Sequence, residues 1–237
     1  MAEISRSEAR RFLGYRGISE PDERVERILE ECIQELQEKA SPKEVHMTFP
    51  LEWEKGFCAC SFAGIRVPDQ LREREREAKQ GCPVPSGGLL KNLKGCSEIV
   101  MLAVTIGPEA DLLVRRAEIR DVLRAYAFQA AGAAYAEAWC DEVNERIRQE
   151  AAERGLYARP RFSPGYGDFP LEAQKDFSRI LDMPKKIGVS LSESLLMTPT
   201  KSITAVIGLS KEKTDCHRAG CEECSMSGTC AFSRIDV

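Results

Sequence analysis

The sequence predicts an α+β fold in which a mainly antiparallel, twisted sheet is flanked by helices. Three observations predict it. Amphipathic helical stripes and alternating strands are intermixed, no regular βαβ alternation signals a doubly wound sheet, and no internal repeat is visible. With 237 residues, 43% hydrophobic and 30% charged, the chain can bury roughly 70% of its unfolded surface, enough for one compact domain with a tail. Residues 1–210 are read as that domain and 211–237 as a cysteine-rich, polar tail.

The first helix is expected from Ser19, where S-E-P-D offers a capping box, through a stripe of Val25, Ile28, Leu29, Cys32, Ile33 and Leu36. Val45, Met47 and Phe49 alternate with polar residues after Ser41-Pro42, and residues 57–67 are similarly β-like, so two strands with one solvated face each follow. The alternating charges of LREREREAKQ (71–80) bury no face, and PVPSGG (83–88) is turn chemistry that matches neither phosphate-loop nor dinucleotide-binding spacing. The continuous apolar run IVMLAVTI (99–106) is expected to be a central, buried strand, and Gly107-Pro108 to start a helix. Residues 112–154 form the longest helical stretch, crowded in its middle with alanine and glycine that let a backbone or ligand come close. A helix over 171–181 and strands near 187–191 and 202–209 complete the domain.

A net charge of −4 without a basic stripe argues against nucleic acid as a partner. The N-terminus has no apolar core of a signal peptide, and no run of eighteen apolar residues could span a bilayer, so a soluble, cytoplasmic protein is expected. In that setting the ten cysteines read as thiols or metal ligands in preference to disulfides.

The chemistry concentrates in RPRFSPGYGDFP (159–170), where two arginines, a tyrosine and an aspartate sit among prolines and glycines. Prolines restrict the unbound loop, glycines let a ligand approach the main chain, and Arg161 can hold a carboxylate through two parallel hydrogen bonds. On composition alone the loop is either an anion or zwitterion site or a structural loop with Arg161 paired to an internal acid.

Arg161-x-x-Pro164-Gly165-Tyr166 followed by Pro170 resembles the R-x-x-P-G-Y motif of the activation domain of vitamin B12-dependent methionine synthase. IGVSLSESLLMTP (187–199) resembles that family's I-G-x-x-L-T-E-S-x-x-M-x-P segment, and AEAWCDEVNERIR (136–148) its A-E-A-containing helix. RFLGYRG (11–17) and AVTIGPEAD (103–111) are similar to free-standing relatives of the domain. The resemblance implies an activation-domain-like fold and an S-adenosylmethionine site. It would place Arg161 on the ligand's carboxylate, backbone around Ser163, Pro164 and Gly165 near the adenosine, and Tyr166 beside the reacting centre. Glu137 would face the ligand's positive end, and Glu193 and Ser194 would brace the loop from behind. The family's acid from the N-terminal segment and its late tyrosine have no clear counterpart in this sequence.

The resemblance also implies a repair reaction, in which cob(II)alamin on a partner is reduced and remethylated from S-adenosylmethionine. The partner would be a cobalamin-binding methionine synthase or another corrinoid protein, with a flavodoxin-like or ferredoxin-like reductant. The cobalamin would be carried by that partner. No side chain need act as nucleophile or general base, and no catalytic residue is assigned, in keeping with only two histidines, His46 and His217. A conventional small-molecule methyltransferase would carry a glycine-rich turn after a first parallel strand, which is missing, whereas a scaffold that keeps the fold without the ligand stays open.

Cys216, Cys221, Cys224 and Cys230 form a compact four-thiolate cluster beside His217. Its spacing suits structural zinc or an iron–sulfur cluster, with free thiols or a disulfide as the alternative. Cys58 and Cys60, one residue apart on a predicted strand, share a face, while Cys32, Cys82, Cys96 and Cys140 are isolated.

Overall fold

The computed structural model describes residues 2–15, 22–51, 61, 62, 65, 66, 88–167 and 169–213. Helices α1 (Arg6–Phe12) and α2 (Glu23–Lys39) precede β1 (Lys43–Pro50), and two two-residue strands, β2 (Ser61–Phe62) and β3 (Ile65–Arg66), pair with each other. Then come α3 (Gly88–Leu93), β4 (Cys96–Thr105), α4 (Glu109–Glu118), α5 (Val122–Glu153) and β5 (Tyr157–Ala158). A 3-10 turn (Leu171–Ala173) leads into α6 (Gln174–Ile180), α7 (Met183–Lys186), β6 (Ser190–Leu191), β7 (Met197–Thr198) and β8 (Ser202–Ser210). The main sheet is antiparallel in the order β1-β4-β8-β5, with Met47 opposite Met101 and Met101 opposite Val206. This is the α+β architecture that the sequence predicts.

The run at 99–106 has no polar alternation because β4 is covered on both faces. Val100, Leu102 and Val104 pack on Cys140, Val143 and Ile147 of α5. Ile99, Met101 and Ala103 face the other way, into a cluster with Phe169, Phe177, Leu181 and Met183. Each such large side chain contributes about 1.5–3 kcal/mol when fully buried. At the other end of α5, Ala125, Phe128, Ala131 and Tyr135 meet the apolar faces of α2 and α4. At 1.5 Å per residue α5 is roughly 48 Å long. Its alanines let neighbours close in on several sides, which is why it serves two of the three clusters.

Local chemistry sets the helix ends. Helix α2 starts one residue after Asp22, whose carboxylate accepts the Val25 amide at 2.9 Å, a cap that contributes about 1 kcal/mol. Ser19, expected to cap this helix, lies outside the described residues. The single helical stretch expected over 112–154 is two helices. Asp121 is extended and its side chain accepts from the Arg124 amide, so a cap interrupts the periodicity that continues across it.

The strand expected at 187–191 is also shorter, reduced to Ser190–Leu191. Ile187 ends α7 and Gly188 takes φ +72°, so extended backbone begins only after it. Of the strand expected over 57–67, the described residues form the β2–β3 pair, outside the main sheet. The segments 71–80 and 83–87 and the pair Cys58 and Cys60 lie outside the described residues. Among the described residues no helix is long and apolar enough to cross a membrane.

The face of β1 that looks toward α5 carries a pH-sensitive cluster. His46 Nδ1 lies 3.0 Å from Glu44 Oε2, and Arg146 of α5 reaches Glu44 at 3.3 Å. The hydrogen bond to Glu44 raises the His46 pKa above its ordinary value, outweighing partial burial. A raised folded-state pKa stabilises fully below the unfolded value near 6.5, and that contribution is lost as pH rises through the folded value. An NMR titration of the imidazole is expected to give a midpoint above 6.5, and Glu44→Gln to bring it down. A midpoint unmoved by that substitution would separate the two groups in solution.

Candidate functional site

The loop 159–170 is shaped by hydrogen bonds along the free edge of β8. After β5 pairs with Ser210 and Leu209, the Arg159 amide donates to Gly208 O at 2.8 Å, and Phe162 and Val206 exchange backbone bonds at 2.8 and 2.9 Å. Three steps on the loop thus match two on β8, and this extra residue resembles a β-bulge. Arg161 reaches helix α5 on one side of the sheet, while Phe162 packs into the Phe169 and Phe177 cluster on the other.

Three supports hold the base of the loop. Asn92 of α3 donates through Nδ2 to Pro160 O at 3.1 Å, and Arg159 Nη2 donates to Lys94 O at 3.2 Å. Gly208 completes the support by having no side chain. A Cβ there would stand 2.6 Å from Cys96 Sγ, 2.9 Å from Leu93 Cδ2 and 3.3 Å from Arg159 Cγ.

The tip is a turn that Ser163-Pro164-Gly165-Tyr166 dictates locally. Proline occupies the second position, Gly165 takes φ +89° at the third, and the Tyr166 amide donates to Ser163 O at 3.1 Å. This is the type II pattern, in which only glycine adopts the third position without strain. The Gly165 amide then donates to Phe169 O at 2.8 Å, and the Phe169 amide to Tyr166 O at 2.9 Å. Pro164 is buried and Tyr166 projects outward, 71% exposed.

Arg161 is the centre of charge, with only 10% of its side chain exposed. Its Nη2 donates to Glu137 Oε2 at 2.6 Å, and its Nη1 to Asp141 Oδ1. Burial by itself lowers the pKa of this guanidinium, but Cys140, Asp141 and Glu137 outweigh that, so it stays charged. The two acids are four residues apart on α5, hence on one ridge. Asp141 was missed in the sequence, although its i+4 spacing from Glu137 in AEAWCDE was the available signal.

The structure thus brings Arg161, Glu137 and the 163–166 turn together. It places Glu193 and Ser194 elsewhere, exposed at the tip of the β6–β7 hairpin, where Ser194 Oγ bonds Ser192 Oγ at 2.9 Å. No hydrogen bond described for either reaches the Arg161 loop, so the loop's supports are instead Asn92, Arg159 and the β8 backbone. The reason is topological: residues 192–196 close a hairpin on themselves, with Ser192 accepting the Leu195 and Leu196 amides.

Among the described residues no group of three or more His, Cys, Asp or Glu side chains could hold a metal ion. Cys216, Cys221, Cys224 and Cys230 lie outside the described residues.

Residues 90–218, over half of the chain, match the family model described as vitamin B12 dependent methionine synthase, activation domain. Among solved structures the chain is similar to the MetH reactivation domain bound to AdoHcy, with a TM-score of 0.56 and 19% identity. The match covers 81% of this chain and 66% of that one, just under two thirds of the solved domain. No curated protein matches the chain by sequence. Because the family model spans more than half of the chain, the chain belongs to the family of vitamin B12 dependent methionine synthase activation domains.

Proposed function

We propose that the chain binds S-adenosylmethionine at the Arg161 loop and presents its methyl group for the reductive remethylation of cob(II)alamin held by a partner protein. The observation that carries this reading is the charge set on α5 and the loop. Arg161 offers one positive charge, Glu137 and Asp141 two negative ones, and the ligand has the converse: one carboxylate, one ammonium and one sulfonium. Binding exchanges the internal ion pairs for pairs with the ligand. The carboxylate takes the guanidinium fork, and the two cations take the freed acids.

The turn at 163–166 would supply backbone groups to the nucleoside, and Tyr166, which is exposed, would lie beside the reacting centre. The MetH domain solved with AdoHcy supports a ligand of this class on this fold. Positioning is then the protein's contribution: holding the methyl sulfonium in line with its acceptor can supply roughly 7–11 kcal/mol of a barrier. The partner is a cobalamin-binding methionine synthase or another corrinoid protein, with a flavodoxin-like or ferredoxin-like protein as the source of the electron.

One observation favours a second reading, a scaffold that keeps the fold without the ligand: Arg161 is already satisfied by Glu137 and Asp141. Calorimetric titration of the full chain with S-adenosylmethionine separates the two. Saturable one-to-one binding is expected, and heat no greater than dilution from folded protein would favour the scaffold.

A further inference from the structure

Lys201 is held in place from several directions. Its carbonyl accepts the Ile106 amide at 3.2 Å and the Thr105 hydroxyl at 3.4 Å. The preceding Thr200 is clamped by Asp111 of α4, which accepts the Thr200 amide at 2.8 Å and its hydroxyl at 2.5 Å. From this fixed backbone the side chain runs across α5 where Gly132 leaves room. A Cβ on Gly132 would stand 3.1 Å from Lys201 Cε and 3.3 Å from Cγ. The ammonium ends on Gln129, donating to Oε1 at 2.6 Å. Burial pushes its pKa down, with Asp111 opposing, so the charge is incompletely compensated.

Gln129, Ala133, Glu137 and Asp141 lie four residues apart on one ridge of α5. The Lys201 ammonium is therefore fastened at one end of that ridge and the Arg161 guanidinium at the other. Gln129 and Glu137 are about 12 Å apart along the axis, and the half-buried Ala133 between them leaves a low shelf. An extended ligand with its carboxylate on Arg161 and its sulfonium near Glu137 would lay its nucleoside along this shelf. The ribose oxygens and the unsubstituted ring nitrogens of adenine that would lie there can accept, and an ammonium is a donor.

We propose that Lys201 is the second anchor of the ligand site, its ammonium hydrogen bonding an oxygen or ring nitrogen of the nucleoside end of S-adenosylmethionine while Arg161 holds the amino-acid end. The assignment rests on the reading of Arg161 as the carboxylate anchor. Gly132 is part of the same device, since it keeps the lysine stem low against the helix.

Two probes separate the ends of the ligand: S-adenosylmethionine by calorimetry, and 5′-methylthioadenosine, which lacks the amino-acid end, by competition. Lys201→Met is expected to weaken both by about tenfold, the loss of one charged hydrogen bond. Lys201→Arg is expected to recover most of the affinity, and Arg161→Ala to weaken only S-adenosylmethionine. Gly132→Ala keeps the charge and favours the helix, so it should melt no lower than wild type yet bind both probes more weakly, by less than Lys201→Met does.

Wild-type affinity in Lys201→Met would overturn the assignment and leave the Arg161 site standing. A loss confined to S-adenosylmethionine would overturn it too, by moving Lys201 to the amino-acid end. Failure of the wild type to bind S-adenosylmethionine would remove the functional reading and this inference together.

Discussion

Replacing Arg161 by alanine is expected to weaken S-adenosylmethionine binding by about 2–5 kcal/mol, the range for truncating one member of a buried, hydrogen-bonded charge pair. The loss has two sources. The carboxylate of the ligand loses its fork, and Glu137 and Asp141 are left with no guanidinium between them. Arg161→Lys keeps the charge but not the planar pair of donors, so an intermediate affinity is expected. Calorimetry on the three proteins checks the order, and equal affinity in all three would remove Arg161 from the site.

Replacement of Phe177 by alanine has the largest expected effect on stability, a loss of about 3–5 kcal/mol in urea unfolding. Phe177 is 1% exposed, and its ring lies 6.4 Å from that of Phe169, which in turn lies 6.3 Å from Phe162. These three aromatics tie α6 to both ends of the loop. The cavity is therefore expected to lower ligand affinity as well, by loosening the backbone that aims Arg161. A loss below about 1 kcal/mol would mean that the cluster re-closes around the missing ring.

The legibility of the site followed the distance over which its parts interact. The turn at Ser163–Tyr166 was readable because proline at its second position and glycine at its third specify it within four residues. Glu137 was found through its helix motif, but its ion-pair partner was not. Arg161 and Glu137 are 24 residues apart, and nothing local says which acid a guanidinium will meet. Glu193 and Ser194 are the converse case: their place as the E-S pair of the second motif implies a brace for the loop, while a tight hairpin leaves both exposed.

By itself, then, the sequence determined the α+β class, the buried central strand β4, a long helix crowded with small residues and a conformationally restricted loop over 159–170. These follow from hydrophobic periodicity and turn chemistry, which act over a few residues. Only the tertiary structure decided that the loop gains a residue against β8, and that Gly208 makes room for Arg159. It also decided that Lys201 crosses Gly132 to reach Gln129, 72 residues away in the chain. Those contacts depend on which surfaces meet once the sheet and α5 pack together, a property of the packed chain that no short stretch of it contains.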